Sequence, residues 1–265
     1  MRARLMGRSV YPIEVAEKQV CWFRATFTGE GGHASFAPRG GAAVKLAKAI
    51  THIEAHPLPV HITPVVNQML SVLAPAWQWA DRVHGAALLA DLASRTPLAQ
   101  ALSPLVRNTA CPTILECGNQ VNVAPTSARL TIDARLLPGF TPDTLFSELA
   151  PALTGHTELE VLRFDQGLKE PDLALFPLLE GVLSDADPSA RAIPLLNPTV
   201  TDGRFFARLG IQHYGFTPMR VTAGENFGRL IHAVDERIPV EDVEFGAACM
   251  HETIRRYGTD KGEGQ

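Results

Sequence analysis

What the chain lacks narrows the field first. It has no surplus of positive charge: 24 lysines and arginines stand against 28 aspartates and glutamates, for a formal net charge of −4. A phosphate backbone would meet no basic field, so nucleic-acid binding drops out of the leading classes. Cysteine is scarce. Cys21, Cys111, Cys117 and Cys249 are the whole complement and none forms a CxxC pair, which argues against a disulfide-stapled scaffold in a chain of this length. Reduced thiols in a cytoplasmic protein are the expectation. Long apolar runs are also missing. Met1–Arg8 is basic but lacks the apolar stretch of a secretory signal. Asp81, Arg82, Asp91 and Arg95 interrupt or flank the Ala- and Leu-rich stretch around 86–92, so no membrane association is expected.

What is present is ordinary globular material. Hydrophobic residues make up 46% and charged residues 20% of 265 positions, enough for one large domain or two smaller ones. Val20–Thr28 alternates apolar and polar residues and predicts a strand with one buried face. A glycine-rich loop, 29–35, follows. The spacing of Ala43, Leu46, Ala47, Ile50 and Ile53 then predicts a helix ending near His56-Pro57. Residues from about 63 to 108 read as an insert of two or three short helices, punctuated by Pro75 and Pro97. Pro112–Gly118 predicts a short strand, and Ala128–Leu136 alternates most clearly of all. Thr141-Pro142-Asp143 supplies a cap, a first-turn proline and an early acid for a helix carrying Leu145 and Leu149. Thr157–Arg163 predicts the next strand. Without the insert the order is βαββαβ, the ferredoxin-like split unit with both helices on one face of one sheet.

Beyond Gly167 the register changes. Helices are expected over Leu173–Leu183, over Asp202–Leu209 and from Pro239 onward, the last with Val243, Ala247, Met250, Ile254 and Tyr257 along one face. Strands are expected over Ala192–Leu196 and Ile211–Phe216. The fold class is therefore α/β in the broad α+β sense. Residues 1–19 read as a connecting segment, 20–165 as the first domain and 166–265 as part of an α/β domain that lacks the rest of its sheet.

Taken singly, the polar candidates keep two readings each. His33 projects from a glycine-rich loop after a strand, as a site residue or as an idle loop histidine. Asp133 and Arg135 share one strand face. They form either a solvated ion pair or a guanidinium presented to an anion. Asn122 sits in a turn, where asparagine is common for conformational reasons. Thr201, Asp202 and Arg204 stand between a strand and a helix, the place of an N-cap but also of a ligand site in an α/β sheet. His232 lies near Asp235 and Glu236, as a metal ligand or as ordinary surface. The other histidines have no metal-ligand spacing.

Their order is more telling. Ala16-Glu17-Lys18, then Phe27-Thr28-Gly29-Glu30-Gly31-Gly32-His33-Ala34-Ser35, then Asn122-Val123-Ala124-Pro125 with Asp133-Ala134-Arg135, then Thr201-Asp202-Gly203-Arg204-Phe205-Phe206, Tyr214-Gly215-Phe216-Thr217-Pro218-Met219 and His232-Ala233-Val234-Asp235-Glu236-Arg237 form one series. As a set it resembles the zinc-dependent aminoacylase, acetylornithine deacetylase, succinyl-diaminopimelate desuccinylase and glutamate carboxypeptidase family, over nearly the whole chain. The Gly-Phe-Thr-Pro-Met segment leans toward the aminoacylase branch.

The resemblance implies that 20–165 is a lid or dimerisation domain pairing with a second copy, with an insert that shapes the dimer cleft. Residues 166–265 would be the C-terminal part of a zinc-peptidase catalytic domain. In that family two zinc ions share a bridging water and polarise an amide carbonyl while a glutamate shuttles the proton. By resemblance His33 stabilises the oxyanion in the partner's site with help from Asn122, Arg135 and Arg204 hold the substrate carboxylate beside Thr201 and Asp202, and His232 binds one zinc. The implied substrates are N-acyl amino acids or small peptides. The chain departs from the family in two places. The half-domain bearing a His-x-Asp pair, a bridging Asp, a Glu-Glu pair and a further acid is not found, so the chain reads as incomplete and inactive alone. Pro198-Thr199-Val200 also replaces the usual Gly-Gly. The alternative function is a non-catalytic dimerisation or ligand-binding module derived from the same family.

Overall fold

The structure is a computed structural model that describes residues 1–5, 8–36, 38–73, 102–220 and 233–260. Nine strands and six α-helices are described. In chain order they are β1 (Ala3–Leu5), β2 (Arg8–Glu17), β3 (Gln19–Thr28), β4 (Gly32–His33), α1 (Ala42–Ala55), α2 (Pro64–Leu73), β5 (Thr109–Cys117), β6 (Val123–Ala124), β7 (Ser127–Leu136), α3 (Pro142–Leu149), β8 (His156–Phe164), α4 (Phe176–Ala186), β9 (Arg191–Asn197), α5 (Gly203–Ala207) and α6 (Val240–Asp260).

The antiparallel sheet has the order β5-β7-β3-β8. With α1 and α3 it makes the expected split unit. Alternation is the reason it forms. On β7 the residues Ala128, Leu130, Ile132, Ala134 and Leu136 are all buried. They pack with Phe23, Ala25 and Phe27 of β3 against Leu46 of α1 and Leu145 of α3. Phe23 and Phe146 meet edge to face at 5.1 Å between ring centroids, a geometry that adds to the burial itself. The helix α1 presents Ala42, Leu46 and Ala49 inward, while Ala43 and Ala47 face outward. The 3.6-residue stripe is thus turned slightly from the one the spacing suggested.

The second sheet is β1-β2-β9, with β2 antiparallel to β1 and parallel to β9. Residues 1–19, expected to be a connecting segment, therefore supply its central strand. Its core joins Val10, Tyr11, Ile13 and Val15 to Ile193 and Leu196, with Leu179 and Val182 of α4. Four residues of α2, Val65, Val66, Met69 and Leu70, enter the same core. The first helix of the insert thus packs on the second sheet and not on the four-stranded antiparallel sheet. Residues 74–101 of the insert lie outside the described residues.

Two expectations for the C-terminal part change. Ile211–Phe216 is not a strand; it contributes a single antiparallel bridge, Glu14 with Gly215. On α6 the apolar stripe read from the sequence faces solvent, with Val243, Met250, Ile254 and Tyr257 all exposed. The packed face instead carries buried Asp242 and Cys249 and half-buried Phe245.

Two side chains at the β2–β3 junction join the sheets. Gln19 Nε2 donates to the carbonyls of Leu137 and Phe140, at 2.8 and 2.9 Å, and its Oε1 accepts from Gly167 N. The buried Lys18 Nζ donates to Arg107 O at 2.9 Å and Thr109 Oγ1 at 3.0 Å. Burial first, and then the charge of Arg135, pushes its pKa down to about 7.

Candidate functional site

The sequence candidates fall into three places. The first is the tip of the unit built on the four-stranded sheet. β4 and β6 form a two-stranded ladder in which His33 pairs with Val123, and Ala34 N donates to Asn122 O at 2.9 Å. Distant segments thus bring His33 beside Asn122, both exposed. Gly32 carries φ +148, a conformation that L side chains rarely adopt. The imidazole has a defined role. Ser35 N–H donates to Nδ1 at 3.3 Å, with Ser35 Oγ at 2.7 Å from the same atom. An Nδ1 that accepts leaves the proton of neutral imidazole on Nε2. His33 therefore offers an N–H donor at this tip.

The second place is Arg135, near the end of β7. Its Nε and Nη2 donate to Asp133 at 2.7 and 2.9 Å, a bidentate pair on the half-buried sheet face. The strand separates it from the tip by roughly 26 Å at about 3.3 Å per residue. Within one protomer Arg135 does not share a site with His33.

The third place is the C-terminal end of the parallel pair β2 and β9, where Glu17 lies opposite Asn197. Ligands of α/β sheets bind outside such strand ends. Here the loop 198–202 leads into α5. Thr201 Oγ1 accepts from Gly203 N at 3.0 Å, and Arg204 Nη1 donates to Thr201 O at 3.0 Å. The Arg204 guanidinium carbon lies 4.4 Å from the centre of the Phe205 ring. Asp202 occupies the N-cap position of α5 but makes no capping bond with its side chain, which leaves that carboxylate exposed. Arg208, just past α5, bonds to Asp165, which also takes Arg163. Burial alone would raise the Asp165 pKa, yet the two guanidinium partners hold it below the usual carboxylate range.

Sequence reasoning missed three residues at this third place. Glu17 Oε2 accepts from Thr201 N at 2.7 Å and from Thr201 Oγ1 at 2.9 Å. Glu14 Oε2 accepts from Asn197 Nδ2 at 2.9 Å. His213 crowds Gly203 so closely that a Cβ there would lie 2.7 Å from its Nδ1. Glu14, Glu17 and His213 line one cleft with Leu168, Pro171 and Ile211. Burial foremost, with Glu17 adding to it and the Asn197 bond opposing, raises the Glu14 pKa. The Ala16-Glu17-Lys18 run signalled a motif, but nothing in it gave Glu17 a partner.

His232 lies outside the described residues. Among those described, no three His, Cys, Asp or Glu side chains gather into a metal-binding group, so the donor set on view does not fit a two-zinc centre.

Comparison with known proteins fixes the family. Residues 15–159 match the peptidase dimerisation domain of the M20 peptidases. The chain belongs to the M20 family. It is 27% identical over 250 residues to the human (Homo sapiens) N-fatty-acyl-amino acid synthase/hydrolase PM20D1, covering 87% of this chain and 47% of that protein. To a probable carboxypeptidase S-like 2 of Dictyostelium discoideum it is 22% identical over 248 residues, covering 89% and 46%. The chain thus spans about half the length of the curated relatives it matches. Among solved structures, aminopeptidase PepT of Bacillus cereus shares the fold with a TM-score of 0.54 at 17% identity, covering 92% of this chain and 53% of that one. An M20 family metallo-carboxypeptidase of Sulfolobus solfataricus gives 0.51 at 16%, covering 93% and 64%. The M20 assignment and the α/β fold with its ferredoxin-like unit agree with the resemblance read from the motifs. No described helix is long and apolar enough to cross a membrane.

Proposed function

We propose that the chain is the dimerising and substrate-clamping part of a cytoplasmic, metal-dependent hydrolase of amide bonds in N-acyl amino acids or small peptides. The observation that carries this reading is the β4–β6 ladder, which sets the His33 donor beside Asn122 at the tip of an M20 dimerisation unit. In this reading 20–165 is the lid, and 166–265 with the strands of 1–19 is the catalytic part. A homodimer forms through the lid sheets, and each lid tip serves the other protomer's site. There His33 Nε2–H donates to the oxyanion of the tetrahedral intermediate, where a preorganised donor acts most strongly, and Asn122 assists. Arg204, stacked on Phe205 and steadied by Thr201, grips the substrate carboxylate beside Asp202. Arg135, held flat by Asp133, reaches that carboxylate only across the dimer. Zinc is the metal proposed, with His232 as one ligand. The described residues hold no complete donor set.

The test is release of amino acid from N-acetyl amino acids by the zinc-loaded gene product. His33→Ala is expected to lower kcat by about 10²–10³-fold with little change in KM, as for loss of an oxyanion donor, and Asn122→Ala by a smaller factor. An unchanged kcat in His33→Ala overturns the assignment. The 265 residues alone are expected to bind zinc weakly and to turn over negligibly; stoichiometric zinc with clear turnover would show that the metal ligands have been misplaced.

A further inference from the structure

Buried polar atoms without a partner are few in folded proteins, and each calls for an explanation. Among the described residues five side-chain atoms qualify, and three of them belong to the strand-end cluster: Glu14 Oε1, Glu17 Oε1 and Arg204 Nε. One atom of each of two carboxylates and a guanidinium is thus shielded from water at the place where β2 and β9 end, although the three residues are only half-buried. Strict alternation would send residues 14 and 17 to opposite faces of β2. A bulge between Glu14 and Ala16 resets the phase, and both carboxylates then reach the same loop.

The bonds form two ties. In one, Glu14 holds Asn197, whose Oδ1 accepts from Thr199 N at 2.9 Å and Thr199 Oγ1 at 2.8 Å. In the other, Glu17 takes both the backbone N–H and the hydroxyl of Thr201. The same hydroxyl oxygen accepts from Gly203 N, and the Thr201 carbonyl accepts from Arg204 Nη1. A continuous path runs from the Glu17 carboxylate through Thr201 to the Arg204 guanidinium. Bonds to an ionised acceptor are the strong members of such a network. The helix that follows adds little of its own to fix the loop, since α5 has five residues and no side-chain cap.

We infer that Glu17 is a positioning residue: it locks the 198–203 loop through Thr201 and so sets the direction of Arg204, with the Glu14–Asn197 pair as a second tie. That Arg204 grips a substrate carboxylate rests on the function proposed above; the tie itself does not.

The experiment is amide hydrogen exchange by NMR on the full chain, wild type against Glu17→Ala, Glu17→Gln and Thr201→Val. In Glu17→Ala the Thr201 and Gly203 amides are expected to exchange at least tenfold faster, while Ile193 and Leu195 on β9 keep their rates. Glu17→Gln retains an acceptor oxygen and should stay within about threefold of wild type. Unchanged rates at Thr201 and Gly203 in Glu17→Ala overturn the inference. Should β9 also lose protection in Glu17→Ala, Thr201→Val decides, because it leaves both carboxylates in place. A tenfold faster amide at position 201, whose N–H still faces the Glu17 carboxylate, then supports the tie and an unchanged one refutes it. Titration with N-acetyl-L-leucine is read separately. Weaker binding in Glu17→Ala, restored in Glu17→Gln, extends the tie to Arg204. No binding by wild type counts against the substrate reading of Arg204 and leaves the exchange result to judge Glu17.

Discussion

On β7 of the lid sheet, burial strictly alternates, and the polar faces of its residues stay half open. On β9 burial runs through consecutive positions, Ala192, Ile193 and Pro194, while its neighbour β2 adds Val10 to an alternating set of Tyr11, Ile13 and Val15. The difference follows from how each sheet is covered. Antiparallel strands with helices on one side alone need one apolar face, whereas a parallel strand packed from both sides, as β9 is, reads as a nearly continuous apolar run. The lid is therefore a self-contained amphipathic layer. Both sheets pair strands distant in the chain, but the second also takes α2 from the insert into its core, beside α4. Phe140 packs against both cores, and Gln19 and Lys18 cross between them.

The largest effect should come from breaking the lid core. Phe23 is fully buried, and Phe23→Ala is expected to cost about 3–5 kcal/mol by lost transfer energy and a residual cavity. The comparison predicts one cooperative transition shifted as a whole, because Gln19 and Phe140 tie the cores together. Two separate transitions in calorimetry, with only one of them moved, would show the sheets to be independent folding units.

Lys18 tests the junction through pH. Unfolded, its ammonium keeps a proton to about pH 10.5; folded, it loses it near 7. Between these values the unfolded chain binds more protons, so stability rises with pH, by about 1.4 kcal/mol per unit at most. The destabilisation is complete below pH 7 and is relieved above it. From pH 7 to 8.5 wild type is expected to gain roughly 2 kcal/mol relative to Lys18→Met, measured by urea unfolding at each pH. Parallel curves for the two proteins would mean that Lys18 is hydrated and the junction open.

The same contrast governs what could be read in advance. β7, β3 and α3 were legible because local pattern and tertiary role coincide there: one buried face, one cap, one turn. β2 was not: Tyr11, Ile13 and Val15 alternate, but Pro12 within the run argues against a strand that pairs on both sides, and a single bulge changes the phase of Glu17. At the candidate site His33 and Asn122 were legible as an ordered set, although only the β4–β6 ladder shows them adjacent. Glu14 and His213 carried no signal and Glu17 only its place in the Ala16-Glu17-Lys18 run, since their partners, Asn197, Gly203 and Thr201, come from nearly two hundred residues downstream or depend on a close approach that spacing does not encode. On α6 the 3–4 periodicity was real, but the helix has two faces with apolar residues and periodicity alone does not say which one packs.

Among the described residues, β5 and β8 are the edges of the four-stranded sheet. On β5, Ile114 and Leu115 are 54% and 55% exposed, an unpaired apolar edge of the kind that recruits another strand. If the proposed dimer forms there, Leu115→Lys should weaken it by about tenfold, or about 1.4 kcal/mol, in sedimentation equilibrium. Val161→Lys on the opposite edge, β8, should leave it unchanged. The reverse result would move the interface to β8 and keep β5 free.

The smallest effect separates the two regions at their helix starts. Thr141 caps α3 through a reciprocal capping box with Thr144, and α3 has eight residues, too few to hold without its cap and its packing on the lid sheet. Thr141→Ala should cost about 1 kcal/mol. Asp202 stands at the same position of α5 but its side chain bonds nothing there, so Asp202→Ala should change stability by less than about 0.5 kcal/mol, the range of a surface substitution. Denaturant midpoints for the two variants give the answer. A loss in Asp202→Ala equal to that in Thr141→Ala would mean that the carboxylate caps α5 in solution. A neutral Asp202→Ala that nonetheless alters binding of an N-acyl amino acid would place that carboxylate on the ligand side of the loop.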